Sequence, residues 1–266
     1  MKTSDMNIAD MNIFDQFFEE LKMRNFAKTT VKEYRIVLGY FKEHGVSKKS
    51  IQSYYLHIEN LTVNTREHYL SKLRVFLKTY FPSLLNELII PKQPKLLPKH
   101  IPSQNQIQEF LKMPDTTTFS GIRDRSILEV FYSTGTRKQE LINLKLADID
   151  FMEKTIRINQ GKMRKDRILP ISSTALSWLE KYINLVRPFQ KPQSDFVFIA
   201  KSGSHLGLDT PFKIVKKYVK NINCHKLRHA FATHLLQNGM KISSVQKLLG
   251  HAQLTMTQRY TQVVLI

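Results

Sequence analysis

The chain has 266 residues, of which 41 are lysine or arginine and 22 aspartate or glutamate, so its formal net charge at pH 7 is +19. Such an excess of positive charge favours a polyanionic partner, above all nucleic acid, with anionic membrane surfaces as the alternative. No apolar run is long enough to span a bilayer, the first ten residues do not resemble a secretory signal, and one cysteine excludes an internal disulfide, so we expect a cytoplasmic, nucleoid-associated protein without a membrane partner.

Four stretches before residue 82 carry apolar residues at helical spacing, which predicts a small helical bundle. These stripes consist of Phe14, Phe17, Phe18 and Leu21; Tyr34, Val37, Leu38 and Phe41; Ile51, Tyr54, Tyr55 and Ile58; and Tyr69, Leu73, Phe76, Leu77 and Tyr80. We expect the aromatic residues to form a core, not platforms for stacked bases. Thr30 and Glu33 have the spacing of a capping box at the start of the second helix.

Basic residues lie on the opposite faces of these helices, and some of them are expected to contact DNA phosphates. They are Lys22, Arg24, Lys28, Lys32, Arg35, Lys42, Lys48, Lys49, Arg66, Lys72, Arg74 and Lys78. Phosphate contacts set affinity and register without reading bases, so these residues do not disclose a target sequence.

A segment rich in proline and lysine divides the chain into two predicted domains. Pro82 begins it, and the prolines at 91, 94, 98 and 102 alternate with Lys92, Lys95 and Lys99. Such a composition favours an extended linker. We therefore place an N-terminal domain at residues 1–82, a linker at 83–102 and a C-terminal domain at 103–266. The three lysines are predicted to lie near DNA phosphates; the alternative is a solvated tether without DNA contact.

The segment 123–141 predicts a helix, a turn at Gly135 and the start of a second helix. Arg137 lies at that second start, where backbone N–H groups also favour anions. Downstream, residues 149–151, 155–158 and 167–171 have the character of three strands. The turn between the last two contains Lys162, Arg164 and Lys165. Taken alone, this turn is typical of a solvated charged loop.

His225 and Arg228 are three positions apart in a stretch, 224–238, that predicts a helix. On a helix both side chains lie on one face, so an imidazole and a guanidinium fork could bind one phosphate. Surface cations on a helix are the alternative. His229 and His234 stand among apolar residues and are predicted to be packing histidines.

A metal site is the competing interpretation of this helix, since His225 and His229 have the spacing of a zinc-binding pair. A zinc protease would carry glutamate directly after the first histidine, whereas this chain has Lys226 there. We therefore expect no metal.

Tyr260 follows His251 by nine positions and stands among cations. A tyrosine in such surroundings can attack a phosphodiester and form a covalent phosphate ester. Because a free phenol has a pKa of about 10, this reaction needs a nearby base, cationic groups on the phosphate oxygens and an acid for the leaving oxygen.

Five sequence elements together resemble the tyrosine recombinases, also called phage-type integrases, and among them the compact Xer-like members. The elements are TGTR at 134–137 with Glu140 downstream, GK at 161–162, HKLRH at 225–229, LLGH at 248–251 and QRYT at 258–261. They occur in the order and spacing of the family, and the resemblance covers nearly the whole chain. Positions 136, 138 and 139 differ from the usual pattern without removing a catalytic group.

The resemblance implies a role for each matched residue. Arg137 and Arg228 would bind the scissile phosphate, and His251 would donate a hydrogen bond to it. His225 would accept the proton of Tyr260, and Lys162 would protonate the departing 5′ oxygen. Glu140 would orient Arg137. Apart from the resemblance, the position of Arg164 and Lys165 in a basic turn predicts that they contact the DNA groove or backbone. The family uses no metal and no cofactor.

The family also implies a mainly α, α+β architecture that closes around DNA as a C-shaped clamp. Its parts would be an N-terminal helical bundle, the SAM-like core-binding domain, and a mostly helical catalytic domain with a small antiparallel sheet. The partner would be double-stranded DNA with specific recombination sites. The protein would act as a homotetramer, or a heterotetramer with a paralogue, from monomers in solution. Only six residues follow Tyr260, too few for the helix that relatives dock on a neighbouring protomer, so that contact is not expected in its usual form.

Three functions are compatible with these residues. A site-specific recombinase would cut, exchange and reseal strands through Tyr260. A topoisomerase-like enzyme would use the same chemistry to relax DNA, and a non-catalytic or partner-dependent DNA-binding protein would not need Tyr260 or Lys162. The complete set of catalytic residue types favours the recombinase.

Overall fold

The structure is a computed structural model that describes residues 8–91, 101–159 and 166–250, with side chains described from residue 13 onward. The chain divides into two compact units, Met1–Lys95 and Leu96–Ile266. The division point falls within the predicted linker. Along the described ranges, every helix is too short or too polar to span a lipid bilayer.

The N-terminal unit is a helical bundle, as the four apolar stripes predict. Its described part contains α1 (Ile8–Met23), α2 (Lys28–His44), α3 (Lys48–His57), α4 (Val63–Tyr80) and a 3₁₀ helix (Pro82–Glu87). The aromatic rings form the core: Phe17 packs edge-on against Tyr34 and Phe76 with ring centroids 5.1 and 5.3 Å apart. These residues are buried, so the stripes stabilise the bundle and are not exposed platforms for bases.

The capping box predicted at Thr30 and Glu33 is wrong. Helix α2 begins at Lys28, three residues earlier than a cap at Thr30 would place it, with Ala27 at the N-cap and no side-chain cap. Glu33 instead forms an ion pair with Lys72 of α4, with 3.0 Å between Oε2 and Nζ. Lys72 is buried, with its ammonium over the ring of Tyr34, so it does not belong among the basic residues expected to contact phosphates.

The extended conformation predicted from Pro82 onward does not hold for Pro82–Glu87, which forms the 3₁₀ helix. Proline is tolerated in a first helical turn because its missing N–H has no partner there. Leu84, Leu85 and Leu88 then pack on the bundle core. The hydroxyl of Tyr55 donates to the carbonyl of Ile89 at 2.9 Å, so burial and hydrogen bonding hold this segment on the N-terminal unit.

The C-terminal unit is mostly helical, with one small sheet in its described part. Its helices are α5 (Gln104–Lys112), α6 (Phe119–Thr134), α7 (Lys138–Ile142), α8 (Ser173–Leu185), α9 (Thr210–Tyr218), α10 (Cys224–Gln237) and α11 (Ile242–Leu249). Short 3₁₀ helices lie at Leu146–Asp148 and Arg187–Gln190. The mainly α fold class predicted from the sequence is confirmed for the described residues.

The three predicted strands form an antiparallel sheet in the order β1 (Ile149–Asp150), β2 (Thr155–Ile158) and β3 (Arg167–Pro170). Ile156 pairs with Leu169, and Ile158 pairs with Arg167. Both Ile156 and Leu169 are buried, so one face of the sheet packs on the core of this unit. Strands β2 and β3 thus pair antiparallel, as the sequence predicts.

Helix α6 is buried along most of its length and packs against α8 and α10. Helix α11 is held against α10 by an apolar cluster that includes Phe231, Val245 and Leu249. These contacts fix the ends of α6 and α11 relative to α10, which is the arrangement on which the site described below depends.

We predict that Gly135→Ala destabilises the C-terminal unit by about 2–4 kcal/mol. Gly135 ends α6 with a φ of 57°, and an added Cβ would lie 2.2 Å from Cδ1 of Phe231. Urea unfolding followed by the fluorescence of Trp178, the single tryptophan, measures the change. Gly39→Ala in α2 is the control, because its Cβ would meet nothing within 4 Å. We expect this variant to raise the free energy of unfolding by about 0.5–1 kcal/mol, measured by circular dichroism. A wild-type transition in Gly135→Ala would contradict the prediction.

Candidate active site

Arg137 is positioned by the turn between α6 and α7. Gly135 takes the left-handed conformation that ends α6, and Arg137 is the N-cap residue of α7 with extended backbone angles. Glu140 lies at the third position of α7 and accepts the backbone N–H of Arg137 at 2.8 Å. The guanidinium of Arg137 also donates from Nη1 to Glu140 Oε1 at 2.7 Å. Glu140 thus holds both the backbone and the guanidinium of Arg137.

Glu140 binds a second arginine, Arg167 at the start of β3. Arg167 donates from Nη1 to Oε1 at 3.1 Å and from Nη2 to Oε2 at 2.7 Å. Burial opposes ionisation of Glu140, but the hydrogen bonds from Arg167 and Arg137 outweigh it and hold its pKa below the ordinary value of 4.5. Glu140 is therefore a carboxylate at neutral pH. The contacts that lower this pKa stabilise the folded state at pH values above the ordinary carboxyl pKa. This stabilisation is lost as the pH falls through the lowered pKa of Glu140.

The C-terminal end of α11 is the meeting point of three arginines. The last carbonyl groups of a helix have no partner within it and carry a partial negative charge. Here three consecutive carbonyl oxygens each accept a hydrogen bond from an arginine. Arg167 Nε donates to Leu248 at 2.9 Å, Arg228 Nη2 donates to Leu249 at 2.6 Å, and Arg137 Nη2 donates to Gly250 at 2.9 Å. The helix end therefore gathers positive charge from three separate elements.

Arg228 is buried on α10. Its Nη1 donates to the carbonyl of Gly135 at 2.5 Å, in the turn that precedes Arg137. Arg137 and Arg228 thus bind neighbouring carbonyl oxygens at the end of α11. Arg228 also binds the α6–α7 turn, two residues before Arg137. The structure brings together the two arginines that the resemblance assigns to one phosphate, with Glu140 beside them.

His225 lies in the first turn of α10 and is exposed to solvent. The helix begins there because the side chain of Asn223 accepts the backbone N–H of Lys226 at 2.9 Å. Its neighbour Cys224 is buried, which raises the pKa of the thiol to about 11. A thiol that stays protonated is a poor nucleophile, so Cys224 does not compete with a tyrosine for that role.

His234 is a packing histidine, as the sequence predicts. It is buried and lies between Tyr132 and the carbonyl of Pro102, with distances of 2.8 Å from Nδ1 and 3.0 Å from Nε2. A carbonyl only accepts, so Nε2 donates and Nδ1 accepts from the Tyr132 hydroxyl. Burial lowers the pKa of His234, which keeps it neutral. His229 is half-buried.

Several predicted site residues lie outside the described ranges. They are Lys162, His251 and Tyr260 of the expected catalytic set, and Lys92, Lys95, Lys99, Arg164 and Lys165 of the expected DNA contacts. In the sequence, Lys162 falls between β2 and β3, and His251 follows Gly250 directly. Within residues 8–91, 101–159 and 166–250, no group of three or more histidines, cysteines, aspartates or glutamates could hold a metal ion.

Arg167 is the residue of this site that sequence analysis did not identify. Its signal lies in the strand periodicity: Arg167 is two positions before Leu169, so both lie on the buried face of β3. A cation in phase with a buried residue needs a partner inside the protein. Only the tertiary structure shows that this partner is Glu140.

The sequence profile described as the phage integrase family matches residues 102–264. The tyrosine recombinase XerA of Pyrococcus horikoshii is 33% identical over 279 residues, covering 96% of this chain and 90% of that protein. The tyrosine recombinase XerD of Vibrio vulnificus is 32% identical over 291 residues, with coverage of 98% and 94%.

Among solved structures, the XerH site-specific recombinase bound to difH substrate shares the fold. Its TM-score is 0.72 at 22% identity, with 98% of this chain and 88% of that chain covered. The match to the family profile spans most of the chain, and the similarity to the Xer tyrosine recombinases covers nearly all of it. The chain therefore belongs to the phage integrase family.

Proposed function

We propose that this protein is a site-specific DNA recombinase that cuts, exchanges and rejoins strands through a covalent 3′-phosphotyrosine at Tyr260. The observation that carries the proposal is the convergence of Arg137 and Arg228 on Leu249 and Gly250, with Glu140 between Arg137 and Arg167. Membership of a family whose relatives are tyrosine recombinases supports it.

The two arginines suit a phosphodiester because each guanidinium is permanently charged and donates in a planar fork. Hydrogen bonds from Arg137 and Arg228 to the non-bridging oxygens stabilise the charge that collects there in the transition state. The burial of Arg228 and the ion pair of Arg137 fix both groups before DNA arrives. Less reorganisation is then needed during the reaction.

In the proposed cleavage step, the Oη of Tyr260 attacks phosphorus and the bond from phosphorus to the 5′ oxygen breaks. His225 accepts the tyrosine proton, and Lys162 gives a proton to the leaving oxygen. His251 donates a hydrogen bond to the phosphate. The ester retains the energy of the broken bond, so a 5′ hydroxyl from another strand can reverse the step without a metal or a cofactor.

Double-stranded DNA is the proposed partner. The net charge of +19 fits a polyanion, and the structurally similar XerH recombinase is bound to its difH substrate. We assign DNA binding to the N-terminal domain and to Lys92, Lys95, Lys99, Arg164 and Lys165. The C-shaped clamp, the tetramer on two synapsed sites and the nucleoid-associated location belong to the same proposal.

The first test is covalent trapping. Wild type and Tyr260→Phe are incubated with nicked duplexes from the neighbouring genomic DNA, in the presence of a chelator, and resolved under denaturing conditions. We expect a protein–DNA band in wild type alone, because only the phenol supplies the attacking oxygen, while gel shifts show equal DNA binding. A band in Tyr260→Phe would refute the nucleophile, and bound wild type without a band would favour a non-catalytic DNA-binding protein.

Arg137→Ala should slow single-turnover formation of the covalent adduct by roughly 100- to 1000-fold, since it removes a donor to the phosphate oxygens. The matched control is Lys138→Ala, which removes the neighbouring exposed cation that pairs with Asp209 at 3.5 Å. We expect that control to cleave at the wild-type rate. Equal rates in the two variants would contradict the assignment of Arg137.

Lys162→Ala should be rescued by a substrate whose 5′ leaving oxygen is replaced with sulfur. A thiolate needs little protonation on leaving, so the loss of a general acid no longer limits the rate. The same substrate should not rescue Arg137→Ala, which serves as the control. If sulfur leaves the Lys162→Ala rate unchanged, Lys162 is not the acid.

A further inference from the structure

We propose that Arg167 is a positioning residue for the phosphate-binding arginines. It holds Glu140 and the end of α11 in the one arrangement that presents Arg137 and Arg228 together. This inference rests on the proposed function, which supplies the phosphate. It adds a residue that the expected catalytic set does not contain.

A single guanidinium joins two structural elements here. Arg167 uses Nη1 and Nη2 for the two oxygens of Glu140 on α7, and Nε for the carbonyl of Leu248 on α11. Its side chain is only 10% exposed, so these contacts are shielded from water. Arginine donates from three nitrogen atoms that are fixed in the plane of the guanidinium. A lysine ammonium donates from one nitrogen only, so it could not make all of these contacts.

Arg167 reaches Arg137 through the shared carboxylate. Glu140 Oε1 accepts from both guanidinium groups, at 2.7 Å from Arg137 and 3.1 Å from Arg167. The second oxygen accepts from Arg167 at 2.7 Å and from the backbone N–H of Arg137 at 2.8 Å. Loss of Arg167 would leave Glu140 held by Arg137 alone, so the orientation of the carboxylate and of the Arg137 guanidinium would be less tightly fixed.

The contact with Leu248 has a separate consequence. In the proposed reaction, Arg137 and Arg228 share their N–H donors between the phosphate and the carbonyl oxygens of Gly250 and Leu249. Arg167 has no role at the phosphate and keeps its bond to the helix end throughout. It therefore holds the backbone that leads into His251 while the other two arginines engage DNA.

The test compares Arg167→Gln with wild type in single-turnover formation of the covalent adduct at saturating DNA. We expect the rate to fall roughly 10- to 100-fold, as for a displacement of about 1 Å at a reacting group, with DNA affinity nearly unchanged. The 5′-sulfur substrate should not restore the rate. Restoration would overturn the proposal, because it would place the effect of Arg167 on the leaving group and thus on the neighbouring hairpin that carries Lys162.

Arg157→Gln is the matched control. Arg157 is exposed on β2 and pairs in register with Ile168, so its loss removes one charge from the same sheet without touching Glu140. A wild-type rate is expected for this control. A rate in Arg167→Gln equal to that of Arg157→Gln would overturn the proposal.

Two further measurements distinguish a role of Arg167 from loss of folding and from failure of the proposed recombinase activity. If urea unfolding shows that Arg167→Gln does not fold, Arg167→Lys is used in its place. This variant keeps the charge, but lysine cannot bridge Glu140 and Leu248, so the rate of adduct formation should still fall. A wild-type rate in Arg167→Lys would overturn the proposal. Amide hydrogen exchange of residues 246–250 gives a readout that needs no cleavage. Faster exchange in Arg167→Gln than in Arg157→Gln is expected even if wild type forms no adduct, and unchanged exchange overturns the proposal.

Discussion

The end of α11 is the point on which the arrangement of the site depends. Its last carbonyl groups cannot be satisfied within the helix, and three guanidinium groups satisfy them from α7, β3 and α10. Each guanidinium is also bound at another point, either to Glu140 or to the carbonyl of Gly135. Displacement of any one of these elements would therefore leave a charged or polar group without its partner, at a cost of about 1–3 kcal/mol for each buried group. This mutual dependence makes the site rigid.

Much of this fold follows from local sequence patterns. The helices of the N-terminal bundle repeat apolar residues with a period that no strand can match, and the three strands alternate over a short span. Gly135 could be placed in a turn because the left-handed conformation favours a residue without a Cβ. Arg137, Glu140 and Arg228 could be identified as well, since their motifs occur in the order of a known family. Local structure and family resemblance agree at these positions.

The features that sequence analysis missed all depend on partners far away in the chain. Glu33 does not cap α2 because Lys72 binds it from α4. Pro82–Glu87 forms a 3₁₀ helix and does not extend, because Leu84 and Leu85 pack on the bundle core. Arg167 has a basic neighbourhood typical of a solvated hairpin, yet it is in phase with the buried Leu169. Its partner Glu140 lies in another element, so periodicity alone indicates burial without identifying what compensates the charge.

The charge balance of the described site explains why such a rigid cluster is useful. Three guanidinium cations and one carboxylate leave two net positive charges. In the proposed reaction a phosphodiester brings one negative charge, and attack by a tyrosine oxygen that has lost its proton adds a second. The net charge of the cluster therefore matches that of the proposed transition state more closely than that of the bound substrate, which is the condition for accelerating a reaction and not merely for binding. Glu140 limits the repulsion among the arginines before DNA binds, and Arg167 keeps that carboxylate in place. The residue that does not touch the phosphate thus sets the geometry of those proposed to bind it.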